Sequence, residues 1–203
     1  MYMNNGSKEF PDRLRLPLAF DPCRLAADLE SLGNEAWTPH FVQRNYSGEW
    51  GAIPLRAARG AEHPILMITA HADVECVDAP PLRQTPYFRE VLSAFDCPLN
   101  SVRLMRLGPG ASILEHSDPG LCAEEGRVRL HVPILTNPEV RFYVNSRAVP
   151  MRPGEVWYLR LSDPHRVDNP GASARVHLVI DADLNPWLED QLSSGDMAGD
   201  ATD

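Results

Sequence analysis

Lysine is nearly absent from this 203-residue sequence: Lys8 is the one lysine among 19 basic residues, and the others are arginine. Genome base composition explains most of this bias, although the planar arginine fork is also well suited to gripping carboxylates. The arginines form no basic stripe, which argues against nucleic-acid binding. Seven of the acidic residues lie between Asp181 and Asp203, so the net charge of -9 belongs mainly to that end.

Three further features are missing. No apolar run reaches the roughly 18 residues that a membrane-spanning helix needs. The polar residues 1–9 lack the apolar region of a secretory signal, so we expect a cytoplasmic protein. No pair of cysteines has CxxC spacing, which argues against a zinc knuckle or a dithiol redox site; the four are Cys23, Cys76, Cys97 and Cys122.

The second half of the chain has the pattern of a β-protein. Short runs with turn signals between them, such as 108–110 and 153–154, predict a series of strands. The predicted strands cover residues 101–107, 111–117, 127–135, 139–144, 147–150, 155–160 and 174–181. This pattern favours a sandwich or barrel.

The first half contains helices and irregular segments. A strand at 14–20 precedes a helix at 22–32, where Asp21 suits the N-cap and Pro22 the first helical position. A second helix is expected at about 85–95, residues 37–60 are predicted to be extended segments with loops, and 70–84 a loop. We expect one domain over 1–190, with a helical and extended part (1–100) and a barrel (101–183). Residues 191–203 are expected to be a disordered acidic tail.

Two predicted strands share an unusual alternation. In residues 127–134 one face is apolar and the other presents Arg127, Arg129 and His131. In residues 175–180 one face is again apolar, and the other presents Arg175 and His177. A polar face in water would explain this, but in a closed fold such a face lines a cavity. Buried arginines need anions, so the two strands suggest a cavity for a carboxylate ligand.

A metal-binding pattern lies beside these strands. His116 and Asp118 are two residues apart at a predicted strand end, so both side chains point to the same side. His165 enters a later strand and is the best candidate for a third ligand, with His131 and His177 as the next choices. Two histidines and one carboxylate with open positions form the facial triad of non-haem iron oxygenases. Each element alone is a weak signal.

The ordered set HxD, then H, then R resembles the Fe(II)/2-oxoglutarate-dependent oxygenases. More narrowly, it is similar to the aspartyl/asparaginyl β-hydroxylase domain family, which also contains free-proline hydroxylases. The matching segments are 37–40, 48–50, 53–56, 103–110, 115–118, 127–133, 154–158, 165–169 and 175–181.

This resemblance implies a mainly β fold with flanking helices, a double-stranded β-helix of the jelly-roll or cupin type. It implies Fe(II) at His116, Asp118 and His165, and 2-oxoglutarate held by Arg175. It also implies that Arg129 and His131 contact the cosubstrate. The best-known peptide hydroxylases of the family lack the carboxylate ligand, so Asp118 sides with the members that hydroxylate free amino acids.

We therefore expect a dioxygenase that hydroxylates a free amino acid or a small amino-acid-like molecule. Hydroxylation of Asp or Asn in a peptide, a cupin-like metalloprotein without 2-oxoglutarate chemistry and a non-catalytic binding module remain alternatives. A metallohydrolase is the least favoured, since no HExxH-type spacing occurs. The cation for the substrate carboxylate is expected to be Arg44, Arg56 or His40, and the acceptor for its ammonium group Asp73 or Glu75.

Overall fold

The computed structural model describes residues 9–69 and 74–197. Its helices are α1 (Pro22–Ser31), α2 (Pro64–Ile68), α3 (Pro80–Arg83), α4 (Pro86–Ser93) and α5 (Pro186–Ser193). Its strands are β1 (Arg13–Ala19), β2 (Thr38–Pro39), β3 (Tyr46–Ser47), β4 (Trp50–Ala58), β5 (Cys76–Asp78), β6 (Leu99–Leu107), β7 (Ala111–His116), β8 (Arg127–Leu135), β9 (Arg141–Val144), β10 (Arg147–Ala148), β11 (Glu155–Leu159), β12 (His165–Asn169) and β13 (Arg175–Asp183).

The strands form two antiparallel sheets. The larger has the order β1-β11-β8-β13-β6-β4-β2, with β5 also paired to β4, and the smaller has the order β10-β9-β12-β7-β3. An apolar cluster joins the two, because Trp157 and Val179 of the larger sheet pack with Phe142 and Val167 of the smaller. Two sheets packed in this way confirm the predicted double-stranded β-helix.

The helices cover the outer face of the larger sheet. Leu130 of β8 and Leu178 of β13 are fully buried in a cluster that includes Leu25 of α1, Phe88 of α4 and Leu188 of α5. The start of α1 is as predicted, with the Asp21 side chain accepting from the backbone N–H of Cys23 and Pro22 in the first turn. The alternation of β8 and β13 thus buries one face under helices and turns the other toward the smaller sheet.

Several elements differ from the sequence-based expectation. Residues 37–60 were expected to be extended segments with loops, and β4 within that range is one continuous strand inside the larger sheet. Its length was not predicted because it is buried on both faces and does not alternate. Part of the predicted loop at 70–84 is ordered as β5 and α3.

The expected tail boundary at 191 also differs. Helix α5 continues to Ser193, with an Asn185 cap and Pro186 in its first turn. After it, Asp196 exchanges backbone hydrogen bonds with Arg15 of β1. The end of the expected tail, 198–203, lies outside the described residues. Within the described ranges, no helix is long and apolar enough to span a bilayer.

A tight approach at Gly154 allows β11 to begin beside the end of β1. Gly154 has φ +83°, and a Cβ there would collide with the carbonyl oxygen of Phe20. Gly60 has a similar φ of +79° but has open space around its Cα. A side chain at either position would strain the backbone, but only at Gly154 would it also collide with a neighbour.

We expect Gly154→Ala to lower the free energy of unfolding by roughly 2–4 kcal/mol, because left-handed strain and overpacking add. Gly60→Ala is the matched control and should cost about 1 kcal/mol, the strain alone. Urea denaturation of both variants measures the difference. Equal losses in the two variants would contradict the close approach at Gly154.

Candidate active site

The inward face of the larger sheet is lined with charged and imidazole side chains. They come from three adjacent strands, β8, β13 and β6, and recur at every second position. The inward residues are Arg129 and His131 on β8, Arg175, His177, Val179 and Asp181 on β13, and Arg103 and Met105 on β6. The predicted polar face therefore points into the molecule, not into water.

The candidate metal ligands come together at the rim of this interior. His116 ends β7, His165 begins β12, and the two are direct partners in the ladder between those strands. Asp118 follows two residues after His116, held by a 2.8 Å bond from its backbone N–H to the carbonyl of Leu161. One ligand atom from each of His116, Asp118 and His165 lies within 4.8 Å of the others.

Both histidines are oriented by backbone carbonyls. Nδ1 of His116 lies 2.7 Å from the carbonyl oxygen of Leu114, and Nδ1 of His165 lies 3.0 Å from that of Asp163. Since a carbonyl can only accept, each Nδ1 carries the proton and each Nε2 keeps its lone pair. Metal-bound histidines generally donate their other N–H in this way. Burial also lowers the pKa of His165, which keeps its ring neutral.

Asp118 is also held by a buried network of charges. Arg129 donates to Asp118 Oδ2 from Nη1 at 2.8 Å, and it grips both oxygens of Asp181 through Nε and Nη2 at 2.6 and 3.1 Å. Arg103 reaches the same Asp181 at 2.7 Å and the carbonyl of Ile68 at 2.9 Å. Asp181 is thus shared by two guanidinium groups and is only 2% exposed.

The network settles the charge states of its members. Burial alone would raise the pKa of Asp181, but Arg129 and Arg103 outweigh that effect and hold the pKa below its ordinary value. Burial lowers the pKa of Arg103, with Asp181 acting against the shift. For Arg129, the two carboxylates outweigh burial and raise the pKa. Asp181 is therefore ionised between two cations.

Arg175 lies in the same interior without a carboxylate. It is 3% exposed, and its side chain donates a hydrogen bond from Nη2 to Nδ1 of His177 at 2.7 Å. No ion pair to Arg175 occurs in the described part of the chain, and its Nε has no hydrogen-bond partner there. Burial lowers the pKa of Arg175 to about 9, so the guanidinium is still charged at neutral pH.

His131 and His177 are buried beside Arg175. Burial, with Arg175 acting in the same direction, holds the pKa of each histidine well below the usual range, so both rings are neutral. Their Nδ1 atoms lie 3.4 Å apart. Nε2 of His131 is buried and has no hydrogen-bond partner among the described residues. Such unsatisfied polar atoms at a cavity wall indicate that a ligand supplies the missing contacts.

These groups surround a cavity of about 240 Å³, which is small compared with typical ligand pockets of roughly 300–1,000 Å³. One wall is aromatic: the His40 ring stacks on Trp50 with centroids 3.5 Å apart and on Phe41 at 4.9 Å. Burial lowers the pKa of His40 to about 4, and Arg103 acts in the same direction. The His40 ring in this aromatic wall is therefore neutral.

Few of the substrate-binding candidates from the sequence reach this cavity. His40 lines it but is neutral. Arg56 instead pairs with Asp78 of the neighbouring strand β5, and Glu75 pairs with Arg59, just after the end of β4. Arg44 is exposed and is not among the lining residues. Asp73 lies outside the described residues.

Neither Arg103 nor Asp181 was predicted to have a role, although the sequence carries a signal for both. Asp181 continues the period of two that begins at Arg175 and His177, and Arg103 and Met105 occupy alternate positions on the neighbouring strand. Extending the alternation by one step would have identified Asp181. Pairing it with the arginines requires the strand register, in which Asp181 stands opposite Arg129.

The aspartyl/asparaginyl beta-hydroxylase family matches residues 24–184. The chain is 29% identical over 172 residues to the L-proline cis-4-hydroxylase of Rhizobium meliloti (strain 1021), covering 84% of this chain and 60% of that protein. It is 26% identical over 170 residues to L-proline cis-3-hydroxylase 2 of a Streptomyces species, covering 81% and 57%. The chain thus spans less than two thirds of the length of these curated relatives.

Solved structures support the fold. An oxidoreductase of the 2OG-Fe(II) oxygenase family from Burkholderia pseudomallei is similar with a TM-score of 0.54 and 14% identity, over 85% of each chain. The non-heme alpha-ketoglutarate-dependent carbocyclase SnoK from nogalamycin biosynthesis has the same TM-score with 13% identity, over 85% of this chain and 79% of that one. At these identities the likeness shows the shared double-stranded β-helix.

We expect Asp181→Asn to lower the free energy of unfolding by roughly 3–5 kcal/mol, because Arg103 would lose its carboxylate while buried. Asp183→Asn is the control, since Asp183 is half exposed beside Arg127 and should cost at most about 1 kcal/mol. Chemical denaturation measures both. A loss for Asp181→Asn no larger than that of the control would show that Asp181 does not hold the arginines.

Proposed function

The chain belongs to the aspartyl/asparaginyl β-hydroxylase family, and from that premise we propose that it is an Fe(II)- and 2-oxoglutarate-dependent dioxygenase. Its substrate is proposed to be a free amino acid or a small amino-acid-like molecule. The observation behind this proposal is a His-Asp-His cluster that shares one small cavity with a buried arginine lacking a carboxylate partner.

The donor set of the cluster fits Fe(II). His116 and His165 would offer Nε2 lone pairs, and Asp118 would offer Oδ1, since its Oδ2 accepts from Arg129. Two imidazoles and one carboxylate are the ligands of iron oxygenases with open positions. Arg129 is then a positioning residue, because it fixes the orientation of the Asp118 carboxylate.

Arg175 fits the distal carboxylate of 2-oxoglutarate. A buried guanidinium without a counter-ion is costly, and a carboxylate in the cavity would supply the missing partner. Arg129 uses three of its five N–H groups on Asp118 and Asp181, so two are left for a ligand. His131 lines the same cavity, and its buried Nε2 has no hydrogen-bond partner among the described residues. We propose that Arg129 and His131 both contact the cosubstrate, as the family resemblance implies.

The chemistry that bound iron and 2-oxoglutarate supply is O2 activation and insertion of one oxygen atom into a C–H bond, with release of succinate and CO2. The protein binds and orients the reactants. His131, Phe142 and Trp50 enclose them and exclude water. Strands and short turns position every proposed ligand, which favours a rigid site.

The charges of the cavity favour a substrate with a carboxylate. Three guanidinium groups face two carboxylates, Asp118 and Asp181, which leaves one positive charge. Fe(II) adds two, and the 2-oxoglutarate dianion removes two, so one positive charge remains. We assign the substrate carboxylate to Arg103, because this buried arginine lines the cavity and its Nε has no partner among the described residues.

L-Proline is the first substrate to test, because the two curated relatives are L-proline hydroxylases by name. The neutral aromatic side chains His40, Phe41 and Trp50 that line the cavity suit a small apolar ring. The cavity of about 240 Å³ also favours a free amino acid over a folded protein. Hydroxylation of a peptide is the alternative, and the same assay distinguishes it.

We expect the protein with Fe(II) and 2-oxoglutarate to convert L-proline to a product with one added oxygen atom and to form equal amounts of succinate. His165→Ala should abolish both products and iron binding, while Arg166→Ala at the neighbouring, part-exposed position should leave them unchanged. Mass spectrometry and metal analysis measure the outcome.

Three results would contradict parts of this proposal. Turnover of an Asp- or Asn-containing peptide, but of no free amino acid, would replace the proposed substrate class. A product formed without succinate would favour a cupin-type enzyme. Stoichiometric iron in active His165→Ala protein would refute the ligand assignment.

Arg175→Met should raise the dissociation constant of 2-oxoglutarate by roughly ten- to a hundredfold, because it removes a charge-assisted contact. Iron binding should persist, and Arg175→Lys should lose less affinity because it keeps the charge. The absorption band of the anaerobic Fe(II) protein with 2-oxoglutarate gives the dissociation constant of 2-oxoglutarate for each of the two variants. An unchanged constant in Arg175→Met would move the role to Arg129.

A further inference from the structure

A second cavity lies behind Arg175. Its volume is about 420 Å³, larger than that of the candidate active site. It is formed by the segment between β8 and β9, the segment between β10 and β11, and the inward end of β13. None of the candidate metal ligands lines it. Nothing in the proposed reaction uses this space.

The second cavity is lined by arginines and has no acidic lining residue among the described ones. Arg175 and His177 line its buried end, and Arg141 and Arg152 are exposed. Arg141 is held in place by bonds from Nη1 to the carbonyls of Pro138 and Val140 at 2.5 and 3.0 Å. Three guanidinium groups without a carboxylate make an electrostatic environment that attracts small anions.

Arg175 and Phe142 line both cavities, so these two side chains separate them. The guanidinium carbon of Arg175 lies 5.7 Å from the centroid of the Phe142 ring. Arg103 and Arg129 are neutralised by carboxylates, whereas Arg175 has only the neutral His177 as hydrogen-bond partner. One unneutralised cation is therefore reachable from two sides.

We propose that the second cavity is an oxyanion-binding site, which takes a small carboxylate or an inorganic oxyanion, and that its occupancy weakens the binding of 2-oxoglutarate. This inference rests on the proposed function, because the cosubstrate is the anion on the other side of Arg175. Two anions on opposite sides of one buried guanidinium share its charge and repel each other. The coupling is reciprocal, so 2-oxoglutarate also weakens the oxyanion.

The test is a titration of 2-oxoglutarate into the anaerobic Fe(II) protein at several concentrations of sodium sulfate. Ionic strength is held constant with sodium chloride, and the absorption band gives the dissociation constant. A sulfate ion that binds the second cavity raises this constant to a plateau, expected at roughly five- to tenfold. Sulfate that only displaces 2-oxoglutarate from the active site raises the constant in proportion to its concentration, without a limit.

The double variant Arg141→Gln/Arg152→Gln removes two charges that line only the second cavity. The sulfate effect should fall to less than half of its wild-type size in this variant. Arg147→Gln is the matched control, because Arg147 is exposed on β10 and does not line the cavity. It should behave as the wild type. Repeating the titration with acetate compares the effect of a carboxylate on the dissociation constant of 2-oxoglutarate with that of the tetrahedral sulfate ion.

The outcomes separate the two proposals. If 2-oxoglutarate gives no band even without sulfate, the proposed function fails. If the band forms but the sulfate effect has no plateau, or is equal in the double variant and the wild type, the second site is refuted. Loss of the effect in Arg147→Gln as well would assign it to general surface charge and would also refute the site.

Discussion

Compensation of positive charge inside the barrel is the constraint on which the rest of the site depends. Arg103, Arg129 and Arg175 all lie on the inward face of the larger sheet; Arg103 and Arg175 are buried, and Arg129 is part-buried. Buried charges are tolerated when they are paired. Asp181 and Asp118 neutralise two of the arginines, and the third has only an imidazole partner. The same small interior therefore holds two arginines that are ion-paired and stabilise the fold, and a third arginine that has no counter-ion.

The alternation of side chains made much of this predictable. A period of two on two strands identified the apolar face under the helices and the Arg-x-His face of the interior. The spacing of His116 and Asp118 predicted a common side, because side chains two residues apart on a strand point in the same direction. His165 is 47 residues further along the chain, so only the order of motifs, and its similarity to a family, connected it to the pair.

The features that the sequence did not predict depend on the register between strands and on contacts with residues that are distant in the chain. Asp181 was not recognised as the centre of the charge network, because its position opposite Arg129 follows from strand pairing. Arg56 and Glu75 looked available for a substrate, but each pairs with a nearby opposite charge, Asp78 and Arg59. Strand β4 has no alternating pattern, because the sheet and its covering layers bury both of its faces.

The position of β13 has a consequence for how the molecule forms. This strand is the last in chain order among the described residues, yet it lies between β8 and β6 in the middle of the larger sheet. During synthesis, Arg129 and Arg103 emerge long before Asp181, so they remain hydrated on an incomplete sheet. The barrel closes only when β13 inserts between its two neighbours. Such distant pairings slow folding, and Asp181 can neutralise the two arginines only once β13 has paired with its neighbours.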